Sequence, residues 1–267
     1  MSGAVEVTID TIDPVILDGM WAAGANGVFE REHDSVVGFD EEAIAQAAIT
    51  TLPADVEWSM APSPPLNTWD SYAGVVTDDP FLIRPPWLEA GEPRAGLTEL
   101  VIDPGTSFGH GGHPTTLLGL RALAREIRPE DSVLDVGSGS GVLAIAAATL
   151  GAASVTATDI DPAAVETTEA NAQANDVAIV ACSTRVHDLT GPFDVVIANM
   201  ERPTLAVHLD ELWQLTARVL ILSGVLAADP LDLAGLDAAR VSVEQLDDWA
   251  ATSLHRHHHP QVRAGTQ

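Results

Sequence analysis

The sequence predicts an α/β chain, a doubly wound parallel sheet preceded by a small ferredoxin-like α+β domain, and three observations carry that expectation. The first sixty residues alternate short apolar segments in the order β-α-β-β-α-β. From residue 99 onward, continuous apolar strands alternate with helices, the pattern of a parallel sheet covered on both faces. One of those strands, Ser132 to Val136, runs directly into the glycine turn Gly137-Ser138-Gly139-Ser140-Gly141 and then into a helix.

Taken in order, Val5 to Ile9 alternates as a strand, and Asp13-Pro14 opens a helix that ends near Gly24, Asp13 as N-cap and Pro14 at the first position. Gly27 to Glu30 and Ser35 to Phe39 are two strands joined by the polar turn Glu32-His33-Asp34. Asp40 caps a second helix, Glu41 to Thr50, and Val56 to Met60 is the last strand of the small domain, residues 1–61. Pro62, Pro64 and Pro65 exclude a helix and mark an extended spacer. Residues 62–98 are placed between the domains, with Phe81-Leu82-Ile83 as an edge strand. In residues 99–267 the expected elements are strand Leu100 to Ile102, helix Pro114 to Ile127, strand Ser132 to Val136, helix Val142 to Leu150 and strand Ser154 to Thr158. Helix Pro162 to Ala174, capped by Asp161, follows, then strands Phe193 to Ala198, Ala217 to Leu222, Val241 to Leu246 and Ala250 to Leu254. The His-rich stretch His255 to His259 is read as either a native tail or a tag-like remnant, with no chemistry assigned.

Composition narrows the function classes. Of 267 residues 46% are apolar, enough for a sizeable core. Twelve basic residues against 39 acidic ones give a net charge of −27, and all twelve are Arg. Such a charge repels phosphate backbones and favours a basic or neutral partner, so no direct contact with nucleic acid is expected. No uncharged apolar stretch approaches the roughly 20 residues of a membrane helix, and the N-terminus lacks the basic-then-apolar layout of an export signal. A cytoplasmic monomer without a membrane partner is the expectation. The single Cys182 excludes an intrachain disulfide and a thiolate zinc cluster.

Three clusters carry chemistry. In the first, the glycine turn lets backbone approach a ligand closely at a helix start whose N–H groups are unpaired. The next strand ends in Asp159, 22 residues after Gly137, where an acid can accept hydrogen bonds from the hydroxyls of a ribose. An adenosine-containing ligand fits both. Gly139-Ser140-Gly141-Val142-Leu143-Ala144 satisfies the loose G-x-G-x-x-A dinucleotide fingerprint, so a nicotinamide dinucleotide is the competing ligand. Asp135, two residues before the turn, repels a pyrophosphate but tolerates a ligand bearing an amino acid and a sulfonium, which favours S-adenosylmethionine.

The second cluster, Asp103 to Thr116, holds four glycines and Phe108 in a loop that enters a helix, as a lid or cradle would. His110 and His113 have no third ligand nearby in sequence, so no metal is expected, and His113 before Pro114 reads as a cap. Thr115 and Thr116 lie in the first helical turn, where hydroxyls and free N–H groups can hold a carboxylate. The third cluster is the buried strand Phe193 to Ala198 ending in Asn199, which reads either as a turn former or as an amide whose oxygen orients an attacking amine. In doubly wound sheets the ligand crevice lies at the carboxyl ends of the strands, where Gly137, Asp159 and Asn199 should meet.

Together the clusters resemble the PrmA family of methyltransferases, which modify a basic large-subunit ribosomal protein, number eleven. The most specific signature, D-P-G-x-x-F-G-x-G-x-H-x-T-T, stands here as Asp103 to Thr116. The resemblance continues through the Gly137 loop, Asp159-Ile160-Asp161-Pro162, Ala198-Asn199, Leu222 to Leu226 and Trp249, and includes the N-terminal unit. It implies a class I methyltransferase sheet with S-adenosylmethionine held by Thr116, Gly137, Asp159 and Asn199, and with Gly139 and Phe108 at the same site. It also implies a ferredoxin-like domain that recognises the ribosomal protein, whose lysine and N-terminal amines are methylated. The sequence departs from the family at His110, Ser138 and the turn Met200-Glu201-Arg202-Pro203, where Glu201 either holds a cationic amine or is solvated. The altered turn keeps a small-molecule methyltransferase open as an alternative, and a non-catalytic adenosine-binding interaction protein is the second.

Overall fold

The structure, a computed structural model, describes residues 4–25, 27–30, 33–62, 74–89, 95–105 and 111–257. It divides into two compact units, a smaller one carrying residues 4–62 and a larger one carrying residues 75–104 and 111–257.

The smaller unit runs β1 (Val5–Ile9), α1 (Pro14–Ala22), β2 (Gly27–Glu30), β3 (Ser35–Phe39), α2 (Glu42–Ile49) and β4 (Trp58–Pro62). Its four strands form an antiparallel sheet in the order β2-β3-β1-β4, the ferredoxin-like arrangement. The alternation of β1 sets its inward face: Val5, Val7 and Ile9 join Val37 and Phe39 and meet Leu17, Met20, Ala45, Ala48 and Ile49 of the helices. Asp13 caps α1 as expected, its carboxylate accepting the Val15 N–H at 2.9 Å. Asp40 does not cap α2. Glu41 occupies the cap position without a side-chain hydrogen bond, so the helix starts one residue later than the short-polar-residue rule places it. The last strand is also shifted and includes Pro62, which pairs with Val5 on an edge strand, where a missing N–H is tolerated. Pro64 and Pro65 lie outside the described residues.

The larger unit contains β5 (Val76–Asp78), β6 (Phe81–Arg84), β7 (Thr98–Val101), α3 (Pro114–Glu126), β8 (Ser132–Val136), α4 (Val142–Thr149), β9 (Ser154–Thr158) and α5 (Pro162–Ala174). It continues with β10 (Val180–Cys182), β11 (Phe193–Asn199), α6 (Arg202–Gln214), β12 (Thr216–Leu226), β13 (Ala238–Leu246) and β14 (Trp249–Arg256). Seven strands form one sheet in the order β10-β9-β8-β11-β12-β14-β13. Pairing is parallel from β10 to β12, and the final hairpin is antiparallel, which corrects the expectation of a wholly parallel sheet. The hairpin connection of two residues is too short for a crossover.

Strand alternation divides the core into two layers. Val133, Val195, Ile197, Val219 and Ile221 face α3 and α4, while Leu134, Val196, Leu220 and Leu222 face Leu205 and Leu212 of α6. Phe81 to Ile83 is not an edge strand. It lies at the centre of a separate three-stranded sheet, β5-β6-β7, because Phe81 and Ile83 are buried with Leu100 and Ile102 in the α3/α4 layer. The segment from residue 75, read as interdomain, therefore packs within the larger unit. Arg121 of α3 fixes it there with a bidentate pair to Asp78, at 2.7 and 2.9 Å. The His-rich stretch begins inside the fold, since His255 and Arg256 belong to β14. Among the described residues no helix is long and apolar enough to cross a membrane.

Candidate active site

Register alone assembles the centre of the site. Thr158 pairs with Val136, Val136 with Ala198, and Ala198 with Leu222. The residues that follow, Asp159, Gly137, Asn199 and Ser223, therefore form one row along the carboxyl edge of four neighbouring strands, about 4.8 Å apart per strand. Asn199 is half-buried and pairs in register with Ser223. Gly137 and Ser138 both donate their N–H groups to Thr158 O, at 2.8 and 3.1 Å, and tie the glycine turn to β9.

The turn needs its glycines. Gly137 has φ of 74°, and a side chain there would press within 2.9 Å of the Cγ and Sδ of Met200. Gly141, at φ 80°, is the N-cap of α4 and offers no side chain to the first helical turn. Asp135 supplies the missing acceptor from β8, its Oδ2 taking the Ala144 N–H at 3.0 Å. The rest of that carboxyl is sealed: Asp135 is 1% exposed, and its Oδ1 has no hydrogen-bond partner. Burial raises its pKa to about 7 against the opposing Ala144 bond, and the nearby charge of Asp159 adds to the rise. Asp159 is half-buried; its Oδ2 accepts the Gly139 N–H at 2.9 Å and its Oδ1 the Asp161 N–H at 3.0 Å. Lone pairs remain on both oxygens for further donors.

The start of α3 is the second wall. His113 caps the helix as expected, accepting the Thr115 N–H at its Nδ1 (3.3 Å), with Thr115 Oγ1 2.8 Å from the same nitrogen. Its ring meets Trp249 edge-on, with centroids 5.1 Å apart. Ser223 Oγ donates to Thr115 O at 2.8 Å, which joins the helix start to the row of strand ends. Thr116 is fully buried, and its Oγ1 has no partner. Phe108 and His110 lie outside the described residues.

Two features escaped the reading of the sequence. Asn171 and Asn175, one turn apart on α5, act as clamps. Asn171 accepts the Asp103 N–H and donates to Asp103 O and Ser140 O, while Asn175 makes the equivalent pair with Val101. The glycine turn and the loop leaving β7 are thereby held to one helix, and the signal was an Asn pair at i, i+4 in an otherwise small-residue helix face. The second is Ile160, an 81% exposed apolar residue directly after Asp159. No cluster of three metal-ligating side chains occurs among the described residues.

The chain is similar to known proteins. The profile of the ribosomal protein L11 methyltransferase (PrmA) family matches residues 41–256. A ribosomal protein L11 methyltransferase of Bacillus cytotoxicus is 37% identical over 189 residues, and one of Bacillus cereus is 38% identical over 191. Both alignments cover 67% of this chain and 61% of the relative, so the match spans less than two thirds of those proteins. The crystal structure of a ribosomal protein L11 methylase from Lactobacillus delbrueckii subsp. bulgaricus superposes with a TM-score of 0.61 at 28% identity, covering 69% of this chain and 99% of that one. The doubly wound sheet expected from the sequence is thus shared with a solved structure. By the extent of the profile match, the chain belongs to the ribosomal protein L11 methyltransferase (PrmA) family.

Proposed function

We propose that this chain is an S-adenosylmethionine-dependent N-methyltransferase that methylates lysine and N-terminal amines of a basic large-subunit ribosomal protein. The observation that carries the reading is the row of Asp159, Gly137 and Asn199 at adjoining strand ends, beside the buried, partnerless Thr116 Oγ1. These groups fit the donor. Asp159 has acceptors for the ribose hydroxyls, and the exposed Ile160 offers an apolar face to the adenine. The Gly137 and Gly139 backbone admits close approach, and Thr116 supplies a hydroxyl for the amino-acid end.

When bound, S-adenosylmethionine supplies a methyl group on a sulfonium whose leaving group is neutral. The chain's task is alignment of nucleophile, carbon and sulfur, so no dedicated base is assigned. Asn199 orients the attacking amine through its side-chain carbonyl oxygen. A free lysine has a pKa near 10.4, and desolvation against the buried strand ends lowers it toward the neutral, nucleophilic form. The charge of −27 steers a basic partner, and residues 1–62 contribute strongly, with twelve carboxylates against one arginine.

The test is incubation of labelled donor with ribosomal subunits from a strain lacking this methylation. Label in one small basic protein is the expected result. Label confined to small metabolites supports a small-molecule acceptor, and donor binding without turnover overturns the catalytic reading.

A further inference from the structure

The large sheet ends differently on its two sides. Its β10 edge is three residues long, whereas the β13 edge, Ala238–Leu246, runs for nine. The devices that blunt an exposed edge are missing from the centre of β13: Val241-Ser242-Val243 holds no Pro and no charge, and the register shift lies at the strand's start, between Ala238 and Arg240. The two-residue connection to β14 makes Leu246 and Trp249 a hydrogen-bonded pair. Alternation then turns the backbone N–H and C=O groups of Arg240, Ser242 and Glu244 toward β14, and those of Val241, Val243 and Gln245 outward. No strand among the described residues meets that outer side. Side chains alternate as well. Glu244 faces α3, where it pairs with Arg121 and Arg125, which sets Arg240 and Ser242 on the same face. Val241 and Val243 stand on the other face, 49% and 58% exposed.

An antiparallel pairing of this edge with itself, about a two-fold axis at Ser242, is complementary along its centre. Val241 meets Val243 of the second copy as a hydrogen-bonded pair, using the outward groups of both. Ser242 meets Ser242, and Arg240 meets Glu244, in non-hydrogen-bonded pairs, where opposing side chains come closest. Arg240 is exposed and makes no ion pair among the described residues. Within one chain it stands about 13 Å from Glu244, at roughly 3.3 Å per residue; a second copy brings the two charges directly opposite. We infer that β13 is a homodimer edge, through which two copies join into one continuous sheet. Backbone bonds between Val241 and Val243 hold it, with the valines of both copies in a strip on one face and Arg240 paired with Glu244 on the other. Because β13 runs parallel to β12, the axis sets the two carboxyl edges at opposite ends, and each candidate site keeps its own end of the joined sheet. An interface of one strand edge is small, so the dimer is weak and reversible. It replaces the monomer expected from the sequence.

Sedimentation equilibrium on the full chain up to about 300 μM tests the inference, in about 0.15 M salt to screen the charge of −27 on each copy. A reversible monomer–dimer equilibrium is expected, with a Kd of about 10–100 μM. Val243→Pro removes an outward N–H but none of the bonds to β14, and should raise that Kd about 10-fold or more. Arg240→Glu sets like charges opposite each other and should raise it about 5-fold. Circular dichroism and thermal melting matched to the unmodified chain show that each variant is folded. Register has its own readout. In a Cys182→Ser background, Ser242→Cys lies on the axis and should give a disulfide-linked dimer, oxidised glutathione taking up the two thiol hydrogens. Gln245→Cys, whose counterpart lies opposite Ala239, should not. A chain that stays monomeric throughout, a dimer whose Kd neither variant moves, or equal crosslinking at 242 and 245 overturns the inference. If the chain is monomeric and Val243→Pro still slows labelling of ribosomal subunits, the edge belongs instead to an extended segment of the acceptor protein.

Discussion

Replacing Asp135 by Asn isolates the cost of burying a carboxyl in the unliganded fold. The folded chain keeps a proton on Asp135 up to about pH 7, whereas the unfolded chain releases it near the ordinary value of 3.8. Between those values the folded state binds the extra proton, so this residue's contribution to stability falls as pH rises and levels off above pH 7. At about 1.4 kcal/mol per pH unit the full loss is about 4 kcal/mol. About 2 kcal/mol of it lies between pH 5.5 and 8.5, a window above the isoelectric point of about 4.3. The Asn side chain does not titrate. Its amide nitrogen, placed where Oδ1 has no partner, costs about 1–3 kcal/mol at every pH, which displaces the curve without tilting it. Urea unfolding, followed through the buried Trp213 and Trp249, should therefore show the variant gaining about 2 kcal/mol on the wild type between pH 5.5 and 8.5. Parallel curves over that window would refute the argument that burial, unrelieved by any cation, governs this carboxyl.

Three further outcomes follow from the same geometry. Gly224→Ala places a Cβ at φ 88° against the Met200 backbone carbonyl and should lower unfolding stability by about 2–4 kcal/mol; a change under about 0.5 kcal/mol contradicts the close approach. Asn171→Ala removes three side-chain hydrogen bonds, to the Asp103 N–H, Asp103 O and Ser140 O, so hydrogen exchange at residues 137–142 should accelerate, and stability should fall by about 2–4 kcal/mol. Unaltered exchange there would show that the turn is held without the clamp. Asp159→Ala is expected to weaken S-adenosylhomocysteine binding about 10- to 100-fold by calorimetry, and an unchanged Kd removes Asp159 from the ribose site.

Local signals were legible wherever a few adjacent residues dictate the backbone. Asp13-Pro14, His113-Pro114 and Asp161-Pro162 each combine a cap with a residue fixed at helical φ, and all three helices begin there. Asp40 misled because Glu41 can equally take the extended cap conformation. Helix α6 was missed, since its exposed positions, with Val207 76% exposed, blur the apolar periodicity. Of the candidate site, Gly137, Gly139, Asp159 and Asn199 were named because strand ends and glycine turns are marked in sequence. Asn171, Asn175 and the unpaired state of Asp135 were not, because their roles depend on partners 68 and 74 residues away or on layers built by other elements.

What the sequence determined by itself is the alternation of strands and helices, the glycine turn and the acid that follows it, all set by propensities and hydrogen bonds reaching at most a few residues. What only the tertiary structure decided is the lateral order of the strands, the central place of β6 and the reversed hairpin at the sheet's end. It also decided the row joining Asp159, Gly137, Asn199 and Ser223. Register and burial come from contacts between distant segments, and the charge state of Asp135 is set by which groups the fold brings near it and which it keeps away.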